Sequence, residues 1–235
     1  MRIGVLAAVL PRAVAGCSAT GDEQATQPTR LTPLTRSSTA ASPSASSETP
    51  TETTLSSTVA PTRPSAGASM PDVVDWVEAG QSADPAGFHT ATRGGVVTQL
   101  EQDIAFVTPL AETQCITDTR SGGALTCLVD LADPPTAPAD SYGKWIGGWV
   151  DFDGTSVRVG SAHGDPGRFA LGTGVQLDYG RTLRFGDYLC RADPAGLLCI
   201  NFAHQSGVRL ADSGIEPYGC LQPAEESGIG QKFSC

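Results

Sequence analysis

Hydrophobic and polar positions divide the chain into three textures. Residues 3–10 are almost continuously apolar, and residues 18–69 have next to no apolar periodicity. From Ser69 onward the pattern is regular. Val73, Trp76 and Val77 recur at i, i+3 and i+4. Ser69 stands as a cap before them, Pro71 falls in the first turn and Gly80 stands at the end, which predicts one short helix with a single apolar stripe. That stripe is expected to dock on a sheet through Trp76. Beyond it the period falls to two. Apolar runs at residues 88–92, 96–100, 104–107, 113–117, 124–131, 145–152, 155–160, 169–171, 175–179, 182–185, 188–191, 197–202 and 208–210 are separated by Gly, Pro and Asp turns. Asp153-Gly154 is a strong hairpin signal. Many short strands at this spacing predict an all-β fold: a single sandwich or barrel-like domain over residues 71–235, with one short N-terminal helix. The Pro-rich loop "ADPPTAPAD", residues 132–140, separates its two halves.

Those halves share a motif. Cys115-Ile-Thr-Asp118 runs through a glycine turn to Leu125-Thr-Cys127, and Cys190-Arg-Ala-Asp193 runs through Pro194-Ala-Gly196 to Leu197-Leu198-Cys199. Each reads as a hairpin with one cysteine on each strand, close enough to bridge. Six cysteines allow many connectivities. Hairpin pairing favours Cys115–Cys127 and Cys190–Cys199, because strands joined by a tight turn meet before any long loop must close. Cys220 and Cys235 then remain for each other. That bridge is expected to pin a polar tail, "LQPAEESGIGQKFS", with little else to hold it, and to matter only locally.

Upstream of the β domain, residues 1–16 read as a signal peptide: Arg2, a short apolar run that is too short to span a bilayer, then Val14-Ala15-Gly16 before Cys17. Small residues ending in a cysteine resemble the processing site of bacterial lipoproteins, in which the cysteine thiol takes diacylglycerol and becomes the first mature residue. Cys17 is therefore the expected lipidation site, and a membrane is the expected partner, through acyl chains on Cys17. Residues 17–70 form a tether of Ser, Thr, Pro and Ala with too little apolar surface to offset the entropy of folding, so a disordered stalk is expected. Its prolines favour extended conformations, and its composition suits O-glycosylation.

Charge and cysteine usage narrow the function classes. The net charge of -10 opposes nucleic acid. Seven cysteines less Cys17 leave an even six, the number expected of a disulfide framework in an oxidising compartment. No Cys-x-x-Cys pair is present for zinc. Asp151-x-Asp153-Gly154 opens like a calcium loop but lacks the later carboxylates, so no metal or cofactor is expected. No nucleophile elbow, phosphate loop or His-Glu-x-x-His occurs, and His89, His163 and His204 lie in separate segments. Strict alternation through Trp145-Ile-Gly-Gly-Trp149-Val-Asp-Phe152 places Trp145 and Trp149 on one face, a candidate flat platform for a sugar ring or a lipid unless that face is buried.

Two stretches, "FVTPLAETQC…LTCLVDL" and "LDYGRTLRFGDYLCRADPAGLLCINF", resemble a family of small exported proteins and lipoproteins of actinobacteria, mycobacteria included. The resemblance covers most of residues 86–220. It departs at His204-Gln205-Ser206-Gly207, where the family has a Gly-His-Gly-Phe-like segment. What it implies is an exported β domain without an assigned activity. The expected function is a lipid-anchored envelope lipoprotein on the outer face of the cytoplasmic membrane, monomeric and non-catalytic, acting by binding or display toward an envelope protein or glycan. Two alternatives stand beside it: an envelope carrier of an apolar or sugar ligand in an interior cavity, with Trp145 and Trp149 near its mouth, and a hydrolase whose triad is assembled in space.

Overall fold

A computed structural model describes residues 61–163 and 166–235. The expected signal peptide at 1–16, Cys17 and the expected tether up to residue 60 lie outside the described residues. Helix α1, Met70–Glu78, starts where Ser69 accepts the Asp72 N–H at 3.4 Å and donates to its carboxylate at 2.6 Å. Strands follow in the order β1 (Gln81–Ser82), β2 (Thr90–Arg93), β3 (Val96–Gln99), β4 (Ala105–Val107), β5 (Thr113–Asp118), β6 (Ala124–Val129), β7 (Lys144–Phe152) and β8 (Ser156–His163). The second half contributes β9 (Val175–Gln176), β10 (Arg181–Phe185), β11 (Tyr188–Asp193), β12 (Gly196–Asn201), β13 (Ser206–Ala211), β14 (Gly214–Gly219), β15 (Gln222–Ala224) and β16 (Gln231–Ser234).

Two sheets make a sandwich. One runs β1-β10-β11-β12-β13-β14, the other β15-β16-β8-β7-β6-β5-β4-β9, and β2–β3 is a separate hairpin. Alternation along the strands turns Leu125, Cys127, Val150, Phe152, Val157 and Val159 of the larger sheet inward. They meet Leu183, Tyr188, Cys190, Leu197, Cys199, Val208 and Leu210 of the smaller one in a single buried cluster. On the outer face of the smaller sheet, α1 sets Val73, Trp76 and Val77 against Leu189, Leu198, Ile200 and Tyr218. Arg191 fastens the helix: its guanidinium lies 4.1 Å from the Trp76 ring centroid and donates to the Trp76 carbonyl.

Three disulfides close, Cys115–Cys127, Cys190–Cys199 and Cys220–Cys235. In the first two, the cysteines sit directly opposite each other across β5–β6 and β11–β12, with Cα atoms 4.1 and 4.0 Å apart. This is the close spacing of a non-hydrogen-bonded antiparallel pair, and both bridges point into the core.

Several elements depart from expectation. The run expected at 88–92 begins later, at Thr90, because residues 85–88 form a 3₁₀ turn, and the run expected at 169–171 is part of a 3₁₀ turn over 167–171 rather than a strand. Pro85 and an Asp84 cap start the first, while Arg168 ion pairs with Asp103 and Asp118 hold the second. The run expected at 175–179 keeps only two strand residues. The tail is not a loosely held polar segment. β15 and β16 form a hairpin, β16 pairs with β8 over four residues, and Phe233 and Leu221 are buried in the main core. A strand with one inward residue, paired along a sheet margin, leaves almost no periodic signal.

Candidate functional site

At one end of the sandwich the inward-facing residues run out before the sheets close, leaving a cavity of about 290 Å³ between them. Its floor is aromatic. Phe185, the last residue of β10, stacks on Tyr188 at 5.5 Å and 21° and tilts against Phe106 at 6.1 Å. Tyr188 meets Phe152 edge-on at 5.5 Å and donates its hydroxyl to the Phe152 carbonyl at 2.9 Å. Burial pushes its phenol up to about 12, so it is a neutral donor at any physiological pH. The ring geometry follows from a two-residue turn, Gly186-Asp187. Gly186 at φ +50° opens the turn, which places Phe185 directly opposite Tyr188.

The rim comes from two interlocked loops. Asp153 caps the β7–β8 turn, accepting from Thr155 N–H and hydroxyl, both at 2.8 Å, and from Ser156 N–H at 2.7 Å and hydroxyl at 2.8 Å. Burial raises its carboxyl, but these four bonds outweigh it and hold the group below its ordinary value. The hairpin turn is shifted by one residue from the Asp153-Gly154 pair expected: the Asp153 N–H donates to the Ser156 carbonyl at 3.2 Å, which leaves Gly154 and Thr155 at the tip. Gly154 has φ +90°, and a Cβ there would lie 2.8 Å from Asn201 and His204 side-chain atoms. That contact, with Ser206 donating to the Gly154 carbonyl at 2.5 Å, locks the turn against the β12–β13 loop. Buried Asn201 accepts the His204 N–H at 3.1 Å and sets that loop's path. The Asp187 carboxylate, the His204 imidazole and the Gln102 amide line the mouth without a side-chain hydrogen-bond partner among the described residues.

The two tryptophans go elsewhere, and apart. Strand β7 carries a bulge: three residues, 147–149, stand between the pairs Ile146↔Ser161 and Val150↔Val159, where β8 has only Gly160. Gly148 makes the close approach tolerable, since a Cβ there would sit 2.0 Å from the Val129 carbonyl oxygen. Strict alternation therefore fails. Trp145 donates its indole N–H to the Pro135 carbonyl at 2.8 Å and packs over Gly160. Trp149 is 6% exposed, with His163 tilted against it at 3.8 Å and Phe169 meeting it edge-on at 5.3 Å. Its N–H goes to Asp151 at 3.0 Å, which also accepts from Thr126 at 2.7 Å. A groove of about 380 Å³ runs beside it on the outer face of the larger sheet, flanked by Arg158 and Arg168. Both arginines are spent on carboxylates, Arg158 on Glu226 at 3.1 Å and Arg168 on Asp103 and Asp118. Trp145 and Trp149 do not form one open platform.

Comparison with known protein families, characterised proteins and solved structures finds no match to this chain. Among the described residues, serine hydroxyls that donate do so to carboxylates or backbone carbonyls, as Ser156 does to Asp153 and Ser206 to Gly154. The histidines stay separate: His89 contacts the Asp103 carbonyl at 2.8 Å, His163 packs tilted against Trp149, and His204 lines the mouth. The mouth residues escaped the sequence reading because they stand at strand ends up to a hundred positions apart. The signal that was present is the Phe185-Gly-Asp-Tyr188 turn followed by Asn201.

Proposed function

We propose that this protein is an envelope lipoprotein, held by acyl chains on Cys17 at the extracytoplasmic face of the cytoplasmic membrane, whose β domain is a non-catalytic binding module presented on a Ser/Thr/Pro-rich stalk. Kinship with the actinobacterial exported family belongs to this reading. Export is supported by the lipobox-like Val14-Ala15-Gly16-Cys17 and by six cysteines all joined in disulfides, an arrangement typical of oxidising compartments. Binding is supported above all by the mouth. An open cavity with unpaired polar side chains stands over a core filled by Phe106, Phe152, Leu183 and Leu197, each less than 2% exposed. A filled core favours surface binding over carriage of an apolar ligand inside the sandwich. The anchor is tested by detergent-phase partitioning. Wild type is expected in the detergent phase and Cys17→Ala in the aqueous phase; equal partitioning would mean that Cys17 carries no lipid.

A further inference from the structure

We infer that the mouth of the sandwich takes a neutral saccharide, one ring seated on Phe185; this rests on the binding-module reading and names its ligand class. Size is the first constraint. A cavity of about 290 Å³ is at the small end for ligand sites, which suits a single ring better than an extended apolar molecule. The mouth is also open along one side. Gly122 and Gly123 form that lip at φ +94° and +75°, with empty space where side chains would stand, so further units of a longer chain can pass out over it.

Surface chemistry is the second. Phe185 is partly buried, stacked on Tyr188 and tilted against Phe106, so the part of its ring left uncovered at the mouth is apolar and held in place with little entropy left to lose. Around it stand three planar polar groups with spare capacity: Asp187 accepts, Gln102 donates and accepts, and His204 does either. A ring with an apolar C–H face and a girdle of hydroxyls, each both donor and acceptor, satisfies this set without any net charge.

Charge excludes the neighbouring classes. Asp153 and Asp187 both border the mouth of a chain whose net charge is -10, which repels phosphate and carboxylate ligands. A cationic ligand gains little. Asp153 is saturated by its four turn bonds and faces Arg158 at 3.5 Å, which leaves only the exposed Asp187, and an exposed ion pair contributes about 0–1 kcal/mol. A purely apolar ligand would strip water from Asp187, Gln102 and His204 without replacing their hydrogen bonds.

The test uses the full chain carrying Cys17→Ala, for solubility, on an array of neutral, anionic and amine-bearing oligosaccharides, followed by calorimetric titration of whatever is retained. Retention of neutral glycans is expected. Loss of one hydrogen bond in Asp187→Ala or Gln102→Ala should weaken binding roughly 3- to 10-fold. Phe185→Leu, which keeps an apolar side chain against the core, should weaken it by at least about tenfold. Raising salt from about 50 to about 500 mM should leave the affinity nearly unchanged, since no ion pair is involved. Because Asp187 and Gln102 are surface residues, their variants remain informative if Phe185→Leu fails to fold. The inference is overturned if no neutral glycan is retained, if only charged glycans are, or if the two surface variants bind like the parent. Those outcomes leave the anchor untouched, since partitioning of the wild-type chain judges it separately.

Discussion

Tyr188 and Tyr218 show how the same shift can carry opposite consequences. Burial is the main cause of both phenols rising to about 12, and Glu216 adds to it at Tyr218. Tyr188 donates to the Phe152 carbonyl, whereas the Tyr218 hydroxyl is buried beside the Arg209–Glu216 pair outside hydrogen-bonding geometry. Tyr188→Phe should therefore cost about 1 kcal/mol at neutral pH, while Tyr218→Phe should be neutral or slightly stabilising. The alkaline behaviour follows from linkage. The unfolded chain ionises these phenols near pH 10 and the folded chain only near 12. Their contribution is thus whole below about pH 10 and lost as pH rises from about 10 to about 12. Urea unfolding at about pH 9 and about pH 11.5 measures the loss, and each Phe variant should reduce it. An unchanged alkaline loss in both variants would show that other groups carry it.

At the scale of elements, what could be read from the chain was what is local. The two cysteine hairpins were legible because each joins neighbouring strands through a glycine-bearing turn, with separations of 12 and 9 residues. Helix α1 was legible from its cap and stripe. β14 and the β15–β16 hairpin were not, since Pro217 and Pro223 interrupt them and Phe233 is the one deeply buried residue of β16. The Trp145–Trp149 platform failed for a reason written in the sequence, the Gly147-Gly148 pair, which marks a bulge inside a strand. The recovered tail changes the expected role of its disulfide. Cys115, Cys127, Cys190 and Cys199 are at most 2% exposed, while Cys220 and Cys235 are exposed. A mild thiol reductant under native conditions should open Cys220–Cys235 alone, because the attacking thiolate must reach a sulfur. Amide exchange should then rise in β16 and in the β8 residues paired with it, Ser156 to Val159, rather than in the tail alone. Alkylation and mass mapping measure the order of opening; simultaneous reduction of all three bridges would refute burial as the controlling factor.

For the whole molecule, sheets of six and eight strands present edges whose pairing with other copies depends on how each edge is finished. An unpaired edge is a template for association, and this fold blunts each edge of the two large sheets by a simple device. β1 and β9 are two residues long, too short to recruit a partner strand. β14 and β15 are longer and each contains a proline, Pro217 and Pro223, which has no N–H to offer. The two proline-bearing edges are consecutive in the chain, which crosses from one sheet to the other at Gly219–Leu221, so a single short region protects one margin of each sheet. The β2–β3 hairpin is less guarded, with Val96 67% and Val97 59% exposed, but it is only four residues on a side and stands outside both sheets. A monomer is the expected state, further favoured by a net charge of -10. Replacing both prolines with a strand former, Pro217→Val with Pro223→Val, should leave the fold intact, because both positions are at margins, yet restore two templates for pairing. Sedimentation velocity across a concentration series should show the parent as one species of single-chain mass and the double variant shifting to dimers and larger assemblies. If the variant stays monomeric at every concentration while its secondary structure is unchanged, the prolines are not what keeps the edges apart, and repulsion between the acidic copies becomes the remaining explanation.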